Sequence, residues 1–260
     1  MLSIKNLTLF GEHITMLKIC TVYFEGLYHP NAVSKLYRSL KENSTVPFEF
    51  VCLADRGVDA DVVLPYNYHS NIKKHWHKLK FFSNQFAYQN SGDDIIIMDI
   101  DQIVVGNVDE LLSWPVKEKE ILTYGQWWNA KLPINGGFYK FKSGSLKEVW
   151  DNFIKGANFW QNHYYETGRV SAKYYGEQNY VYNQIKENNI KISLTPEKWL
   201  CKYTNDFKEN VKLNRTYREK FGAEYMILDE THPNIKMVHI AGVGKTIHEI
   251  DEQFIKDNWK

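Results

Sequence analysis

Four consecutive apolar residues, Ile95 to Met98, constrain this sequence more than any other feature. Three of them are β-branched and the run is bounded by Asp94 and Asp99, so it predicts a short strand that is buried on both faces. Strands of this kind occupy the middle of a sheet that helices cover on both sides. Strand-like and helix-like segments alternate through the first hundred residues. The sequence therefore favours an α/β fold built on a mostly parallel, doubly wound sheet.

The other periodic segments indicate a single domain over residues 16–260 with an irregular C-terminal half. Apolar, β-branched segments predict further strands at 17–24, 48–53, 61–64, 120–124, 138–141 and 236–240. Apolar residues at helical spacing predict helices at 30–41, 76–88, 108–112, 146–154 and 177–186, and one that begins near residue 247. Residues 1–15 have neither the apolar core nor the cleavage site of a secretion signal, and we expect them to form an N-terminal extension.

Composition and charge exclude several classes of protein. Lys+Arg 32 against Asp+Glu 31 gives a net charge of +1, so no overall field attracts this chain to nucleic acid. No run of about 18 apolar residues is present, so no membrane span is expected. The cysteines Cys20, Cys52 and Cys201 lie far apart in apolar segments, which is typical of buried thiols in a reducing compartment. We expect a cytoplasmic protein.

Asp99 and Asp101 follow the central strand directly. Ligands bind at the carboxyl ends of the strands in open parallel sheets, so chemistry is expected here. Side chains two residues apart point to the same side, and two neighbouring carboxylates repel each other unless a positive charge lies between them. A hard divalent cation supplies that charge and prefers oxygen ligands. A single aspartate at a strand end is usually a cap or a turn residue, but the pair favours a metal site.

Two classes of enzyme end a strand in Asp-x-Asp. In haloacid-dehalogenase-type phosphatases the first aspartate is the nucleophile and the second is a proton donor, which would here be Asp99 and Asp101. Those enzymes also need a downstream Gly-Asp-x-x-x-Asp cluster, and none follows Asp101. In the other class the two aspartates hold Mn²⁺ or Mg²⁺ on the diphosphate of a nucleotide-sugar. A sugar-binding protein without catalysis is the third alternative.

A second polar segment follows the strand expected at 236–240. His239, Gly242 and Lys245 have the spacing His-x-x-Gly-x-x-Lys. A glycine allows the backbone to approach a phosphate closely, a lysine supplies positive charge, and a neutral histidine can complete a metal site. Each of these residues alone is more common in a core or an ordinary turn. Together with Asp99 and Asp101 they favour a phosphate-containing ligand.

Six short motifs, in this order, resemble glycosyltransferase family 8, the GT-A-fold group that contains glycogenin and bacterial galactosyltransferases. They span residues 16–245 and comprise the opening strand with Tyr28, Trp76-His77-Lys78-Leu79, the segment 98–112 with its two aspartates, Asn135-Gly136-Gly137-Phe138, Gly176-Glu177-Gln178, and the segment from His239 to Lys245. Glu177 stands where the family has aspartate. The residues after Lys245 are not the family's usual Pro-Trp, and this ending is more similar to that of bacterial and phage members than to that of glycogenin.

The resemblance implies a role for each matched residue. The metal ligands, for Mn²⁺ or Mg²⁺, would be Asp99, Asp101 and His239. The groups that contact the diphosphate or the sugar would be Lys78, Gly242 and Lys245. The residues that line the uracil or ribose would be Thr21, Tyr23 and Tyr28. The residues that hold the donor sugar at the reacting face would be Asn135, Glu177 and Gln178.

The resemblance also implies an activity. It would be the transfer of a sugar from a UDP-sugar to a hydroxyl group of an acceptor, with retention of the anomeric configuration. The acceptor would be a glycan, a lipid-linked molecule or a protein. No carboxylate in the sequence is an obvious covalent nucleophile.

Aromatic residues crowd the middle of the sequence, at Trp127-Trp128, Trp160, Tyr164-Tyr165 and Tyr174-Tyr175. Aromatic faces stack on sugar rings and would suit an acceptor cleft, but such residues more often fill a core or anchor a loop. We interpret Lys73-Lys74-His75 as a solvent-exposed face rather than as part of a site.

Overall fold

The computed structural model describes residues 15–66, 71–84, 86–129, 132–222, 234–241 and 247–260. Its strands are β1 (Leu17–Val22), β2 (Glu49–Ala54), β3 (Val62–Pro65), β4 (Asp94–Met98), β5 (Gln102–Val104), β6 (Glu120–Tyr124), β7 (Asn135–Lys142), β8 (Lys191–Leu194), β9 (Leu200–Thr204) and β10 (Met237–Ala241). Its α-helices are α1 (Ala32–Glu42), α2 (Asp109–Leu112), α3 (Lys147–Lys155), α4 (Ala157–Glu166), α5 (Glu177–Glu187), α6 (Phe207–Phe221) and α7 (Gln253–Asn258). Short 3₁₀ helices lie at Lys74–Phe82, Phe86–Tyr88, Glu197–Trp199 and Ile247–Glu249.

A seven-stranded sheet with the order β3-β2-β1-β4-β7-β6-β8 forms the centre of the fold. Strands β1 to β4 run parallel, as the alternation of strands and helices predicts. Strand β7 runs antiparallel to both of its neighbours, β4 and β6, and β6 pairs in parallel with β8. The sheet is therefore mixed and mostly parallel, with helices on its faces, and the predicted α/β class is confirmed.

The central strand β4 divides the core into two parts. Ile96 and Met98 belong to one hydrophobic cluster and Ile95 and Ile97 to the other, and none of the four is solvent-exposed. Alternate side chains of a strand point to opposite faces, so each face of β4 contributes to a separate core. The prediction of a strand buried on both faces is confirmed.

A second, three-stranded sheet with the order β5-β10-β9 lies beyond the end of β4. Strand β5 pairs antiparallel with β10, which places Gln102 opposite His239. The backbone N–H of Ile240 also donates to the carbonyl of Asp101, at 3.0 Å. The sequence predicts β10 but not the sheet around it. This sheet is what brings the C-terminal part of the chain to the aspartates.

The helix predicted at 76–88 is instead a 3₁₀ helix from Lys74 to Phe82, followed by a separate turn at Phe86–Tyr88. All seven residues from Trp76 to Phe82 are buried, so this segment has no solvent-facing side and the one-sided helical pattern does not describe it. It packs against α3, α5 and β1.

The sequence analysis also missed α4, α6, β8 and β9. Helix α6 has strong end signals, because the side chain of Asp206 accepts from two backbone N–H groups and Gly222 ends the helix in the left-handed conformation. Its buried apolar residues, Leu213 and Tyr217, are too few to give a clear amphipathic pattern. Within the described ranges, no helix has the length and apolarity needed to cross a membrane.

Candidate active site

A cavity of about 630 Å³ opens where β4 ends. Asp99 and Asp101 line it from the turn after β4, and His239 lines it from β10. The other predicted residues in its wall are Lys78, Asn135, Glu177 and Gln178. Residues from five separate segments of the chain therefore meet at the carboxyl edge of the parallel strands, as expected for a ligand site in such a sheet.

The ammonium group of Lys78 joins three of these segments. Its Nζ lies 2.9 Å from Asp99 Oδ1, 3.1 Å from Glu177 Oε2 and 3.0 Å from the carbonyl oxygen of Gly136. A lysine has three N–H donors, so the protein itself uses all of them. The side chain is 4% exposed. Lys78 is thus a buried cation that fixes two carboxylates and one backbone turn in relation to each other.

A β-bulge at the start of β7 positions two of the predicted side-chain amides. The register of β6 against β7 shifts between Thr123 and Tyr124. Gln178 reaches this bulge from the first turn of α5, where its Oε1 accepts from Gly136 N at 2.8 Å and its Nε2 donates to Ile134 O at 2.9 Å. This amide is therefore held by backbone groups, and the motif Asn135-Gly136-Gly137-Phe138 forms the bulged start of a strand.

The side chain of Asn135 is fixed in the same bulge. Its Oδ1 accepts from Gly137 N at 2.7 Å, and its backbone carbonyl accepts from the hydroxyl group of Thr123 at 3.1 Å. Asn135 is buried but still lines the cavity. Its amide nitrogen is the part of the side chain that remains for a ligand.

Two glycines are required by close packing. A Cβ on Gly137 would stand 2.1 Å from Gln102 Nε2, in the space that a hydrogen bond from that amide to Gly137 O now occupies. Gly176, just before Glu177, has φ +115°, and a Cβ there would lie 2.9 Å from Tyr164 Cβ. Gly176 therefore allows α5 to begin close to α4 and to direct Glu177 and Gln178 into the cavity.

The electrostatics of the cavity separate the two aspartates. Burial opposes ionisation of Asp99, but the neighbouring Lys78 holds the pKa of that carboxyl below its ordinary value. Burial, together with the charge of Asp99, raises the pKa of Asp101 to about 8. Burial likewise raises the pKa of Glu177 to about 7, against the opposing effect of Lys78. The carboxyl groups of Asp99, Asp101 and Glu177 therefore face one buried ammonium group, that of Lys78, whose single positive charge cannot balance all three in ionised form.

The residues predicted to bind a metal have the chemistry of a divalent cation site. Asp101 Oδ1 and His239 Nδ1 are buried and have no hydrogen-bond partner among the described residues. Burial lowers the pKa of His239 to about 4, so the imidazole is neutral and can offer a lone pair at pH 7. In the described part of the chain, no three or more His, Cys, Asp or Glu side chains form a compact metal-binding group. The donors thus fit a divalent cation and share one cavity without forming a closed cluster.

The residues predicted to line the nucleoside, Thr21, Tyr23 and Tyr28, are not among those that line this cavity. The phenol of Tyr28 is buried, and the carboxylates of Asp101 and Asp99 add to burial in raising its pKa, so it lies near the aspartates. Thr21 and Tyr23 are fully buried around the end of β1 and are not among the residues that line the cavity. Gly242 and Lys245 lie outside the described residues.

The cavity also contains residues that the sequence did not assign to the donor site. His75, interpreted as exposed, is half-buried in its wall, because three residues make one turn of a 3₁₀ helix and place it on the same side as Lys78. The segment after α4 contributes Arg169, Tyr174 and Tyr175, and Trp76 Nε1 donates to Tyr174 O at 3.1 Å. The spacing of His75 from Lys78 was a usable signal. The aromatic character of Tyr174 and Tyr175 was a weaker one, whereas Arg169 had none.

No family model matches this sequence, and no curated protein matches it. Solved structures do match. The galactosyltransferase LgtC in complex with donor and acceptor sugar analogs gives a TM-score of 0.58 at 11% identity, over 94% of this chain and 97% of that chain. The glycosyltransferase GlyE of Streptococcus pneumoniae gives 0.54 at 10% identity, over 86% of this chain and 54% of that chain. Mouse xyloside xylosyltransferase 1 gives 0.50 at 10% identity, over 86% of this chain and 97% of that chain.

These neighbours are alike in architecture although their sequences differ greatly from this one. Identities near 10% show the fold alone, and membership of family 8 stays a prediction. The chain has the fold of the GT-A glycosyltransferases.

Proposed function

We propose that this protein is a glycosyltransferase that moves a sugar from a UDP-sugar to a hydroxyl group of an acceptor, with a divalent cation and with retention of configuration. The observation that carries the proposal is the cavity at the end of β4, where Asp99, Asp101 and His239 meet the amides of Asn135 and Gln178. In this cavity, groups that suit a divalent cation lie beside amides that suit a sugar, in a fold shared with glycosyltransferases, and this supports the proposal.

The cation would be Mn²⁺ or Mg²⁺, held by Asp99, Asp101 and His239. When bound, it would supply positive charge that stabilises the leaving diphosphate. Gly242 and Lys245 would contact the same diphosphate, and the uracil and ribose would lie towards Thr21, Tyr23 and Tyr28. Burial and the charge of Asp99 raise the pKa of Asp101, and a bound cation would oppose both effects.

Lys78 would act on the donor mainly by position. Its three N–H donors already bind Asp99, Glu177 and Gly136 O, so it can contact the diphosphate or the sugar directly only by giving up one of these bonds. Held as it is, it keeps Asp99 ionised for the cation and places its positive charge at the wall of the cavity.

The donor sugar would lie against Asn135, Glu177 and Gln178. Glu177 is buried and bonded to Lys78, so it suits a positioning role better than attack on the sugar. We therefore favour a front-face displacement. The acceptor oxygen forms a bond to the anomeric carbon while the bond from that carbon to the diphosphate breaks, and the acceptor proton passes to the departing phosphate oxygen.

A thermal-shift experiment tests the proposal. Wild-type protein is heated with UDP, CDP, GDP or inorganic phosphate, each with Mn²⁺, Mg²⁺ or EDTA. A ligand at one hundred times its Kd stabilises the folded state by about 2.7 kcal/mol, so a genuine site gives a clear shift. We expect a shift that is specific to UDP and lost in EDTA, followed by UDP release from the correct UDP-sugar.

Two variants make the experiment specific. Asp101→Asn should abolish the metal-dependent shift and UDP release, whereas Asp151→Asn, on the exposed side of α3, should behave like the wild type. Full activity of the Asp101 variant would show that the metal assignment is wrong. Phosphate release from simple esters without any response to UDP would favour the phosphatase alternative instead, and metal-independent glycan binding would favour the sugar-binding protein.

A further inference from the structure

A second cavity, of about 520 Å³, adjoins the candidate active site. Leu132, Arg169 and Asn179 line both cavities. The second cavity continues from this shared wall along the groove between α4 and α5, and we call it the α4–α5 groove. None of the described residues proposed to bind the donor lines this groove. The side chains that do line it therefore suggest a separate ligand.

The α4 side of the groove is aromatic. Phe159, Trp160 and His163 line it, and Phe159 is 59% exposed. The ring of Trp160 is fixed by contact with Tyr180, with the ring centroids 5.0 Å apart, and the rings of Phe159 and His163 lie 5.1 Å apart. Trp160 is thus a rigid aromatic surface at the wall of a concavity, which is suited to stacking against a flat ligand face.

The α5 side of the groove is polar and forms one continuous face. Asn179, Tyr182, Asn183 and Lys186 line it at the i, i+3, i+4 and i+7 positions of the helix. This face starts beside Gln178 in the candidate active site and runs about 10 Å along the helix. That distance is longer than one sugar ring.

The charged groups of the groove are basic. Arg169 and Lys186 line it, and no Asp or Glu of the described segments does. The nearby Glu187, the last residue of α5, accepts hydrogen bonds from Asn183 Nδ2 and Gln184 Nε2. Amides, guanidinium and aromatic faces together match the hydroxyl groups and flat faces of sugars. A membrane-binding surface would need several protruding apolar groups. Phe159 is exposed, but Trp160 and Tyr182 line a concavity with polar neighbours.

We propose that the α4–α5 groove binds an oligosaccharide acceptor, holding the sugars that lie beyond the one that receives the transferred sugar. Trp160 and Tyr182 would stack on these sugars, and Arg169, Asn179 and Asn183 would hydrogen-bond their hydroxyl groups. This inference rests on the proposed function, since the groove leads into the donor cavity. The acceptor is then an extended glycan rather than a monosaccharide.

The test uses the full chain, labelled with a fluorophore, on an array of mono- to hexasaccharides in the presence of UDP and Mn²⁺. The variants are Trp160→Ala, Trp160→Phe and Asn183→Ala. The control is Phe207→Ala, which removes an exposed aromatic residue from α6, a helix that lines neither cavity. The metal-dependent UDP shift is measured for every protein as a separate readout of the donor site.

We expect the wild type to bind glycans of three or more sugars at least tenfold more tightly than their terminal monosaccharides. Trp160→Ala and Asn183→Ala should lower that affinity at least tenfold while the UDP shift persists, and Trp160→Phe should restore much of it. Unchanged glycan affinity in both variants, no oligosaccharide binding by the wild type, or Trp160-dependent binding to lipid vesicles would each overturn the inference. A missing UDP shift in the wild type would instead count against the proposed function.

Discussion

Replacing Lys78 with methionine tests whether this buried cation holds the candidate active site together. Methionine has a similar length and an apolar, flexible side chain, so it fills the space without the charge. The change removes three contacts at once, with Asp99 at 2.9 Å, Glu177 at 3.1 Å and Gly136 O at 3.0 Å. It leaves two carboxylates in a buried site with no cation from the described residues between them.

The expected loss of folding free energy is large because the side chains of Lys78, Asp99 and Glu177 are largely buried. Removal of one partner from a buried ion pair typically costs about 3–5 kcal/mol. The same substitution at Lys220 breaks a 2.6 Å contact with Glu197, but these side chains are 41% and 38% exposed, and exposed pairs contribute at most about 1 kcal/mol. Lys220→Met is therefore a matched control for the substitution itself.

Urea unfolding at pH 7, followed by tryptophan fluorescence, measures both variants. We expect Lys78→Met to lower the free energy of unfolding by about 3–5 kcal/mol. Adding Glu177→Gln to it should recover part of that loss, because the double variant contains one buried carboxylate fewer. A loss below about 1 kcal/mol for Lys78→Met, equal to that of the surface control, would refute the argument that Lys78 stabilises the site.

Two further predictions concern packing and pH. Gly137→Ala should lower the free energy of unfolding by about 1–3 kcal/mol because its Cβ would stand 2.1 Å from Gln102 Nε2. Gly57→Ala is the control, because Gly57 lies in an exposed loop and a Cβ there would have no atom within 4 Å. Equal stability of the two variants in urea would contradict the close contact at Gly137. Burial lowers the pKa of Lys80 from 10.5 in the unfolded chain to about 8 in the folded protein. Between these pH values the unfolded chain binds more protons than the folded protein does. The stability of the wild type relative to Lys80→Met should therefore rise with pH. Urea unfolding of both proteins across that window measures the rise, about 1.4 kcal/mol per unit of pKa difference, and a constant difference would contradict it.

The prediction from sequence was most accurate at β4, where one strand determines both the local fold and the position of the residues that follow it. The apolar run of β4 determines where the sheet ends, so its pattern alone places Asp99 and Asp101 at the carboxyl edge. The order of the motifs also pointed to Asn135 and Gln178, which lie at the same cavity. The prediction of the two aspartates depends on local pattern and on the general geometry of parallel sheets. Asn135 and Gln178 were predicted only from the resemblance to glycosyltransferase family 8.

Other parts of the site depend on contacts between distant segments and could not be predicted. The bulge that holds Asn135 requires a shift in register between β6 and β7, which no local pattern encodes. The three bonds of Lys78 were not foreseen because they join residues from three segments. The sequence singled out Trp160 and Tyr164 but could not place them in the α4–α5 groove, since such aromatic residues more often fill a core.

The small sheet beyond β4 has a consequence for the order in which the protein acquires its site. A chain leaves the ribosome from its N-terminal end, and its early segments can begin to fold before the later ones exist. Strand β4, the bulge in β7 and the start of α5 are all made before β10, yet β5 joins its sheet through β10. A nascent chain whose β10 has not yet left the ribosome therefore has no His239 at the site. In that chain β5 still lacks its partner strand next to Asp101. The candidate active site is completed late in synthesis, after the scaffold that surrounds it.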